Sequence, residues 1–184
     1  PVNDIPVVAP VSKTADEDHT VAFSAADFSS KFTDPVENNA LTKIRITSLP
    51  ANGTLMLNGA PVTSGLEILS SAIPQLSFIP SPDWNGSASF NWNGQDGTDF
   101  AAADATVTIT IAPVNDLPVV APVSKSANED HTVAFSAADF SSKFTDPVEN
   151  DALTKIRITS LPANGTLMLN GAPVTSGLEI LSSA

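Results

Sequence analysis

The side chains that could do chemistry in this sequence are mainly carboxylates. Of its 184 residues, 20 are Asp or Glu and eight are Lys or Arg, which gives a formal net charge of −12. Carboxylates are hard oxygen donors that suit divalent cations, and an acidic surface repels phosphate backbones and anionic lipids. We therefore expect divalent cations as ligands, with neither nucleic acid nor a membrane surface as a partner.

Groups suited to catalysis are sparse. His19 and His131 are the two histidines, and a hydrolase would need a serine and an oxyanion hole beside one of them. Asp96, Asp99 and Asp104 could supply paired acids for glycoside hydrolysis, but nothing in the sequence places one of them in an apolar pocket that would raise its pKa. The chain has no cysteine, so thiolate chemistry, disulfides and thiolate metal sites are excluded. We predict that the protein is not an enzyme.

An internal repeat governs the organisation of the chain. Residues 1–72 recur as residues 113–184 at a fixed offset of 112. The two copies differ at four of 72 positions, namely Ile5/Leu117, Thr14/Ser126, Asp16/Asn128 and Asn39/Asp151. Such similarity indicates recent duplication and is typical of a long array, in which length matters more than the individuality of each module.

The elements that must position the acidic residues are strands. Residues 105–111 alternate Val/Ile with Thr, as a half-buried strand does. Asn58-Gly59 lies between residues 53–57 and 60–63 and predicts a hairpin with a type I′ turn. Residues 24–32 predict a short helical turn whose phenylalanines plug one end of the fold. Further strands are predicted at residues 7–11, 20–23, 41–46, 75–79 and 87–92. About seven strands per module predict an all-β fold, a tandem array of antiparallel Greek-key β-sandwiches.

The boundary between modules can be placed in two ways. A period of 112 residues suits one domain, so we divide the chain into a complete module, 1–112, and the N-terminal part of a second, 113–184. Pro113 and Pro118 support this division, because prolines cannot donate to a strand ladder and mark the segment between them as a linker. The alternative is a permuted or split module made of residues 73–184.

Several short motifs, in this order, carry a family resemblance. They are Pro1-Val2-Asn3-Asp4-Ile5-Pro6 with its copy at 113–118, Glu17-Asp18-His19-Thr20, Phe32-Thr33-Asp34-Pro35, Ser48-Leu49-Pro50, Trp84-Asn85-Gly86 and Asp96-Gly97. With these motifs the whole chain resembles the cadherin-like tandem repeats of giant bacterial surface proteins, including RTX-type adhesins exported by type I secretion. The resemblance implies a cadherin- or immunoglobulin-like sandwich in a rod stiffened by Ca²⁺.

The resemblance also implies a set of calcium ligands. Glu17 matches the strand-A glutamate of animal cadherins, Asp34 the first acid of their Asp-x-Asp loop, and Asp96 the aspartate of their Ala-x-Asp-x-Gly loop. Asn115 and Asp116 match the middle of the cadherin linker motif. The offset of 112 places the equivalent positions at Asn3, Asp4, Glu129 and Asp146.

Departures from that pattern lower the expected number of ions. Pro113 stands where cadherins place the first linker aspartate, and Val36 stands at the second acid of Asp-x-Asp. We therefore expect one or two ions per junction. The best single-chain site combines residues from loops that should converge at the N-terminal end of the first sandwich: Asn3, Asp34, Asn39 and Asp96. The ordinary alternative is that these residues are solvated turn residues.

A glycan is the other ligand that the sequence allows. Sugar sites use exposed flat aromatics, and the two tryptophans are Trp84 and Trp92. Trp92 lies on an alternating strand and is predicted to be core, whereas Trp84 lies in a turn. We predict a structural extender repeat of a secreted or cell-surface bacterial adhesin, Ca²⁺-stabilised at its junctions with neighbouring repeats and projecting a distal binding module. An adhesive or carbohydrate-binding module, with glycan or homotypic contacts, is the alternative.

Overall fold

The computed structural model describes residues 3–183 and divides the chain into two compact units, Pro1–Val114 and Asn115–Ala184. Unit 1 contains eleven strands, one α-helix and one 3₁₀ helix. They are β1 (Val7–Val8), β2 (Val11–Asp16), β3 (Val21–Ala22), α1 (Ala25–Ser29), β4 (Phe32–Thr33), β5 (Lys43–Ile46), β6 (Gly53–Leu57), β7 (Ala60–Pro61), β8 (Glu67–Leu69), a 3₁₀ helix (Ser70–Gln75), β9 (Leu76–Pro80), β10 (Gly86–Gln95) and β11 (Ala105–Ala112).

Two sheets build unit 1. The first sheet has the strand order β2-β11-β10-β5-β8, and the second has the order β3-β9-β6-β7. Strands β1 and β4 form a separate two-stranded pair. The pairing of β2 with β11 is parallel, and the other strand pairs are antiparallel. One continuous apolar core contains side chains from both sheets, including Leu55 and Phe78 from one and Ile44 and Trp92 from the other. The predicted all-β sandwich is confirmed.

The alternation expected for residues 105–111 is present in β11. Val107, Ile109 and Ile111 are buried, while the threonines between them are more exposed. The predicted hairpin is also present, with Met56 opposite Pro61 and Leu57 opposite Ala60. Asn58 and Gly59 both have positive φ, 49° and 78°, as a type I′ turn requires.

One predicted strand was wrong in its extent. Residues 7–11 do not form one strand, because β1 ends at Val8 and β2 begins at Val11 in a different sheet. Pro10 lies at this change of sheet, where a residue without an N–H loses no ladder hydrogen bond. The prediction also missed β4 and most of β2, which continues to Asp16. It missed β8 and the 3₁₀ helix that follows it, because residues 67–75 show neither a clear strand period nor a helix period.

The predicted short helix is present but shorter than residues 24–32, because α1 ends at Ser29 and Phe32 lies in β4. Ser24 caps α1, since its hydroxyl accepts from the Asp27 backbone N–H while the Asp27 carboxylate accepts from the Ser24 backbone N–H. Phe28 is fully buried, with its ring 5.0 Å from Trp92 in an edge-to-face arrangement and 5.7 Å from Phe23. The helix therefore closes one edge of the core.

Unit 2 has a smaller set of elements. They are β12 (Val119–Val120), α2 (Ala137–Ser141), β13 (Phe144–Thr145), β14 (Lys155–Arg157), β15 (Met168–Leu169), β16 (Ala172–Pro173) and β17 (Glu179–Leu181). The strands form three antiparallel pairs, β12 with β13, β14 with β17 and β15 with β16. Within residues 3–183, none of the three helices has the length and apolar character that crossing a bilayer would demand.

Candidate metal centre

A cluster of polar side chains lies where β10 ends and the chain begins. Asn3 donates its Nδ2–H groups to Asp96 Oδ2 at 3.0 Å and to Asp99 Oδ2 at 3.2 Å. Asp96 follows directly after β10, so the sheet fixes its position. We call the residues Asn3, Asp4, Asp34, Glu37, Asn39, Asp96 and Asp99 the N-terminal loop cluster.

Asp96 is held by its own loop. Its Oδ1 accepts backbone N–H bonds from Thr98 at 2.6 Å and from Asp99 at 2.8 Å, and the side chain is buried. Burial raises the pKa of Asp96, but the hydrogen bonds from Asn3, Thr98 and Asp99 lower it by more, so the pKa lies below its ordinary value of 3.8. Asp96 is therefore a carboxylate at neutral pH.

Asp34 organises the second loop of the cluster. It follows β4 and is 2 % exposed, with Oδ2 accepting from the Asn39 N–H at 3.0 Å and Oδ1 from the Val36 and Glu37 N–H groups at 3.3 Å. Glu37 in turn accepts from the Asp4 N–H at 3.4 Å. Because Asp4 follows Asn3, the N-terminal segment contacts the Asp34 loop and the Asp96 loop at once.

Glu17 occupies a different place in unit 1. It is 1 % exposed, and its Oε1 accepts from the Val114 N–H at 2.5 Å while Asn85 Nδ2 lies 3.4 Å from Oε2. Its backbone N–H donates to the Ala112 carbonyl at 2.9 Å. A buried carboxylate therefore fixes the chain where it leaves β11.

Strand β10 separates Glu17 from the N-terminal loop cluster. Asn85 precedes β10 and Asp96 follows it, so the ten residues of β10 lie between them. At ~3.3 Å per residue, this puts the two sites about 30 Å apart, at opposite ends of the sandwich. The structure thus brings Asn3 and Asp96 together, as well as Asp34 and Asn39, and holds Glu17 apart from all four.

The second copy repeats part of this arrangement within unit 2. The Asp116 N–H donates to Glu149 Oε1 at 3.3 Å, as the Asp4 N–H does to Glu37 Oε2 at 3.4 Å in unit 1, and Asp146 Oδ1 accepts from the Glu149 N–H at 3.2 Å. Burial, together with the neighbouring Asp146 carboxylate, raises the pKa of Glu149. Asn115 and Glu129 are exposed, and the Asn115 side chain donates to the Asp116 carbonyl.

Sequence reasoning left several of these contacts unassigned. The sequence offers Asp99 only as a catalytic acid and Asn85 only as part of the Trp84-Asn85-Gly86 motif, although each contacts a predicted ligand. The sequence signal that could have identified them is their position, because Asn85 and Asp99 lie beside the two ends of the alternating pattern of β10. The Val114 N–H contact to Glu17 joins residues 97 positions apart, so no local pattern could have revealed it.

The catalytic and sugar-binding alternatives gain no support from the described residues. His19 Nδ1 lies 2.9 Å from the Glu17 carbonyl oxygen, which can only accept, so the ring is held by the backbone. The lowered pKa of Asp96 is the reverse of what a general acid needs. Trp92 is fully buried, and Trp84 is half-buried against the core with its ring over Gly86.

The oxygen donors of the N-terminal loop cluster and those around Glu17 suit the same class of ion. They are carboxylate and side-chain amide oxygens on loops, which are among the ligands that Ca²⁺ takes in irregular geometry. Asp34, Asp96 and Glu17 are all buried acids without a Lys or Arg ion pair among the described residues. A divalent cation bound at each end of the sandwich would compensate the buried negative charge there.

Comparison with known proteins assigns the fold to a family. Residues 2–112 match the family model described as a cadherin-like domain, which covers more than half of the chain. A comparison with curated proteins found no match. Domains of this family are generally extracellular, non-enzymatic adhesion or spacer modules and typically bind calcium. The matched segment contains every strand of unit 1, both ends of β10 and the acidic loops beside them, and the chain therefore belongs to the cadherin-like domain family.

Proposed function

We propose that this chain is an extender segment of a bacterial cell-surface adhesin, in which Ca²⁺ bound at the module junctions stiffens a rod that projects a distal binding module. The observation that carries the proposal is the placement of acidic loops at both ends of the same sandwich. The N-terminal loop cluster contacts the chain as it enters unit 1, and Glu17 contacts Val114 as the chain leaves it.

The ligands proposed at the entry end are oxygens of Asn3, Asp34, Asn39 and Asp96. Asp34 and Asp96 supply buried carboxylates, and rotation of the Asn3 amide would present Oδ1 where Nδ2 now contacts Asp96. At the exit end, Glu17 is the proposed ligand, with Asn115 and Asp116 following along the chain. Asn3 and Asp4 would play the same part at the entry end that Asn115 and Asp116 play at the exit.

The repeat supports the mechanical part of the proposal. Two copies that differ at four of 72 positions suit an array in which each module adds length. Neighbouring repeats of the same chain are the proposed partners, and the net charge of −12 disfavours nucleic acid and anionic membranes. We propose a cell-surface location reached by type I secretion, as in the adhesins that the sequence resembles.

Calcium-dependent stability tests the metal site directly. Trp84 and Trp92 both lie in unit 1, so thermal unfolding followed by tryptophan fluorescence reports unit 1 alone. We expect the midpoint to rise between EDTA and millimolar Ca²⁺, because a ligand that binds only the folded state stabilises it by ~2.7 kcal/mol at 100 times its Kd. Isothermal titration should show saturable binding in the same range.

A pair of matched variants tests which residue causes the calcium-dependent shift of the unfolding midpoint. Glu17→Gln keeps the size of a buried side chain but removes its charge, so it should reduce the calcium-dependent shift of unit 1. Glu129→Gln changes the equivalent residue of the second copy, which is exposed, and should leave that shift intact. An unchanged midpoint in millimolar Ca²⁺ together with a flat titration would contradict calcium binding.

Solution scattering tests the extender role separately. Without Ca²⁺ the clustered acids should repel one another and loosen the junction, so the maximum dimension of the full chain should change when Ca²⁺ is added. If the maximum dimension stays constant while Ca²⁺ binds, the protein has a metal site but Ca²⁺ does not stiffen the rod.

A further inference from the structure

Unit 1 contains four Asn-Gly pairs, at residues 52–53, 58–59, 85–86 and 93–94. An asparagine followed by glycine can lose its side-chain amide without a catalyst, because glycine has no side chain that would block the approach of its backbone nitrogen. That nitrogen must reach the carbonyl carbon of the asparagine side chain, so the peptide between the two residues has to rotate. Because the dipeptide is the same in all four places, its surroundings decide which pair can react.

The pair Asn93-Gly94 is held most tightly. Asn93 is 8 % exposed, and its Nδ2 donates to the Ala101 carbonyl oxygen at 3.0 Å and to Asp104 Oδ1 at 2.8 Å. Gly94 is buried in β10 and faces Ile44 in the ladder with β5. Loss of the amide nitrogen would break two hydrogen bonds inside the protein, and the ladder opposes rotation of the peptide.

The pairs 52–53 and 85–86 are exposed at the asparagine but held at the glycine. A Cβ on the first glycine would lie 2.4 Å from the Phe78 ring, and one on the second would lie 3.1 Å from the Trp84 ring. The first glycine is paired in β6 and the second in β10. Rotation of either peptide would therefore disturb both a ladder and an aromatic contact.

The pair Asn58-Gly59 has none of these restraints at its glycine. Both residues are exposed, and a Cβ on Gly59 would meet no atom within 4 Å. The ladder between β6 and β7 joins Leu57 to Ala60, so the two turn residues lie outside it. The Asn58 N–H donates to the Gln75 carbonyl oxygen at 3.0 Å, which fixes the backbone before the side chain but not the peptide after it.

We propose that Asn58 is a site of spontaneous deamidation in folded unit 1. The Gly59 backbone nitrogen bonds to Asn58 Cγ, and the bond from Cγ to Nδ2 breaks. The side-chain nitrogen leaves as ammonia with the proton of the Gly59 amide, and a cyclic succinimide remains. Water then adds to one of the two succinimide carbonyl carbons and opens the ring to aspartate or isoaspartate, with no change of oxidation state.

The modification changes the turn between β6 and β7 in two ways. It adds a negative charge to a chain whose net charge is −12. Isoaspartate also inserts a methylene into the backbone of a turn that depends on two positive φ values. The equivalent pair Asn170-Gly171 has φ values of 48° and 82° and lies between the paired residues Leu169 and Ala172. Each copy of the repeat therefore carries one such turn.

Peptide mapping by mass spectrometry tests the proposal on the full chain, incubated at mildly alkaline pH with EDTA present so that calcium binding plays no part. We expect Asn58 to deamidate at least ~10-fold faster than the other three asparagines, which requires a difference in activation free energy of only ~1.4 kcal/mol. Electron-transfer fragmentation should show isoaspartate among the products. In denaturing urea the four rates should converge, because the four pairs then have the same surroundings.

A matched variant identifies the attacking nitrogen. Gly59→Ala places a methyl group beside that nitrogen and should slow deamidation of Asn58 at least ~10-fold, while Asn170 in the same molecule reacts at its parent rate. Unchanged tryptophan fluorescence would verify that unit 1 stays folded. An Asn58 that stays intact, another of the four asparagines that reacts as fast in the folded chain, or an order of rates that persists in urea would overturn the proposal. So would an undiminished rate at Asn58 in Gly59→Ala.

Discussion

Phe28 provides a sharp test of how α1 supports the sandwich. Its side chain is fully buried and touches the rings of Phe23 and Trp92, the second at 5.0 Å between ring centroids. Replacing a buried phenylalanine with alanine removes its apolar contacts and leaves a cavity, at a cost of ~3–5 kcal/mol. Phe28→Ala should therefore lower the free energy of unfolding of unit 1 by about this amount.

The thermal effect follows from the size of the unit. For a domain of this length, each kcal/mol shifts the midpoint by ~4 °C, so the expected decrease is ~12–20 °C. Urea unfolding followed by tryptophan fluorescence gives the free energy directly, because Trp84 and Trp92 both belong to unit 1. If Phe28→Ala leaves too little folded protein to measure, Phe28→Leu provides a smaller perturbation of the same contacts, at roughly 1–2 kcal/mol.

The second copy supplies the matched control. Phe140 is equivalent to Phe28 but is only partly buried, and its ring contact is with Phe135 at 5.7 Å. Phe140→Ala should leave the tryptophan-detected transition unchanged. A loss below ~1 kcal/mol for Phe28→Ala, or an equal loss for both variants, would refute the reasoning from burial.

Two further predictions concern unit 1. The pKa of Asp96 is lowered in the folded state, so the stability that the Asp96 carboxylate contributes is present above the unfolded pKa of 3.8 and is lost as pH falls through the folded pKa. Asp96→Asn should therefore lose less free energy of unfolding than the parent protein between pH 5 and pH 3. Urea unfolding at each pH measures this free energy, and an equal loss in both proteins would contradict the prediction. Gly53→Ala should destabilise unit 1 by ~1–3 kcal/mol, because a Cβ there would overlap the Phe78 ring and the Ile79 carbonyl oxygen. The exposed neighbour Thr54→Ala is the control for a general effect on β6, and a Gly53→Ala loss no larger than that control would count against the overlap.

Much of the fold could be predicted from local pattern. The alternation of β11, the Asn58-Gly59 turn and the capped helix each depend on residues close in sequence, and each appears in the structure. Strand β8 and the 3₁₀ helix after it were missed because tertiary contacts, including the pairing of Ile68 with Ile44, decide their conformation.

The candidate site divides in the same way. Residue types and family resemblance identified Glu17, Asp34 and Asp96, since acids in loops between strands are visible in the sequence. Which residues meet was decided by the sandwich, because Asn3 contacts Asp96 across 93 positions and Glu17 contacts Val114 across 97. The calcium role of all three stays a prediction until an ion is measured.

The sequence by itself determined that this chain is built from near-identical copies of an acidic β module, because repetition, charge and period-2 patterning are properties of the residues alone. The tertiary structure decided what those copies become. The same residues that are buried around Ile44 and Phe23 in unit 1 line an open groove in unit 2, because residues 73–112 pair with the first copy. Burial depends on which strands pack against a residue, so identical sequences differ wherever their neighbours differ.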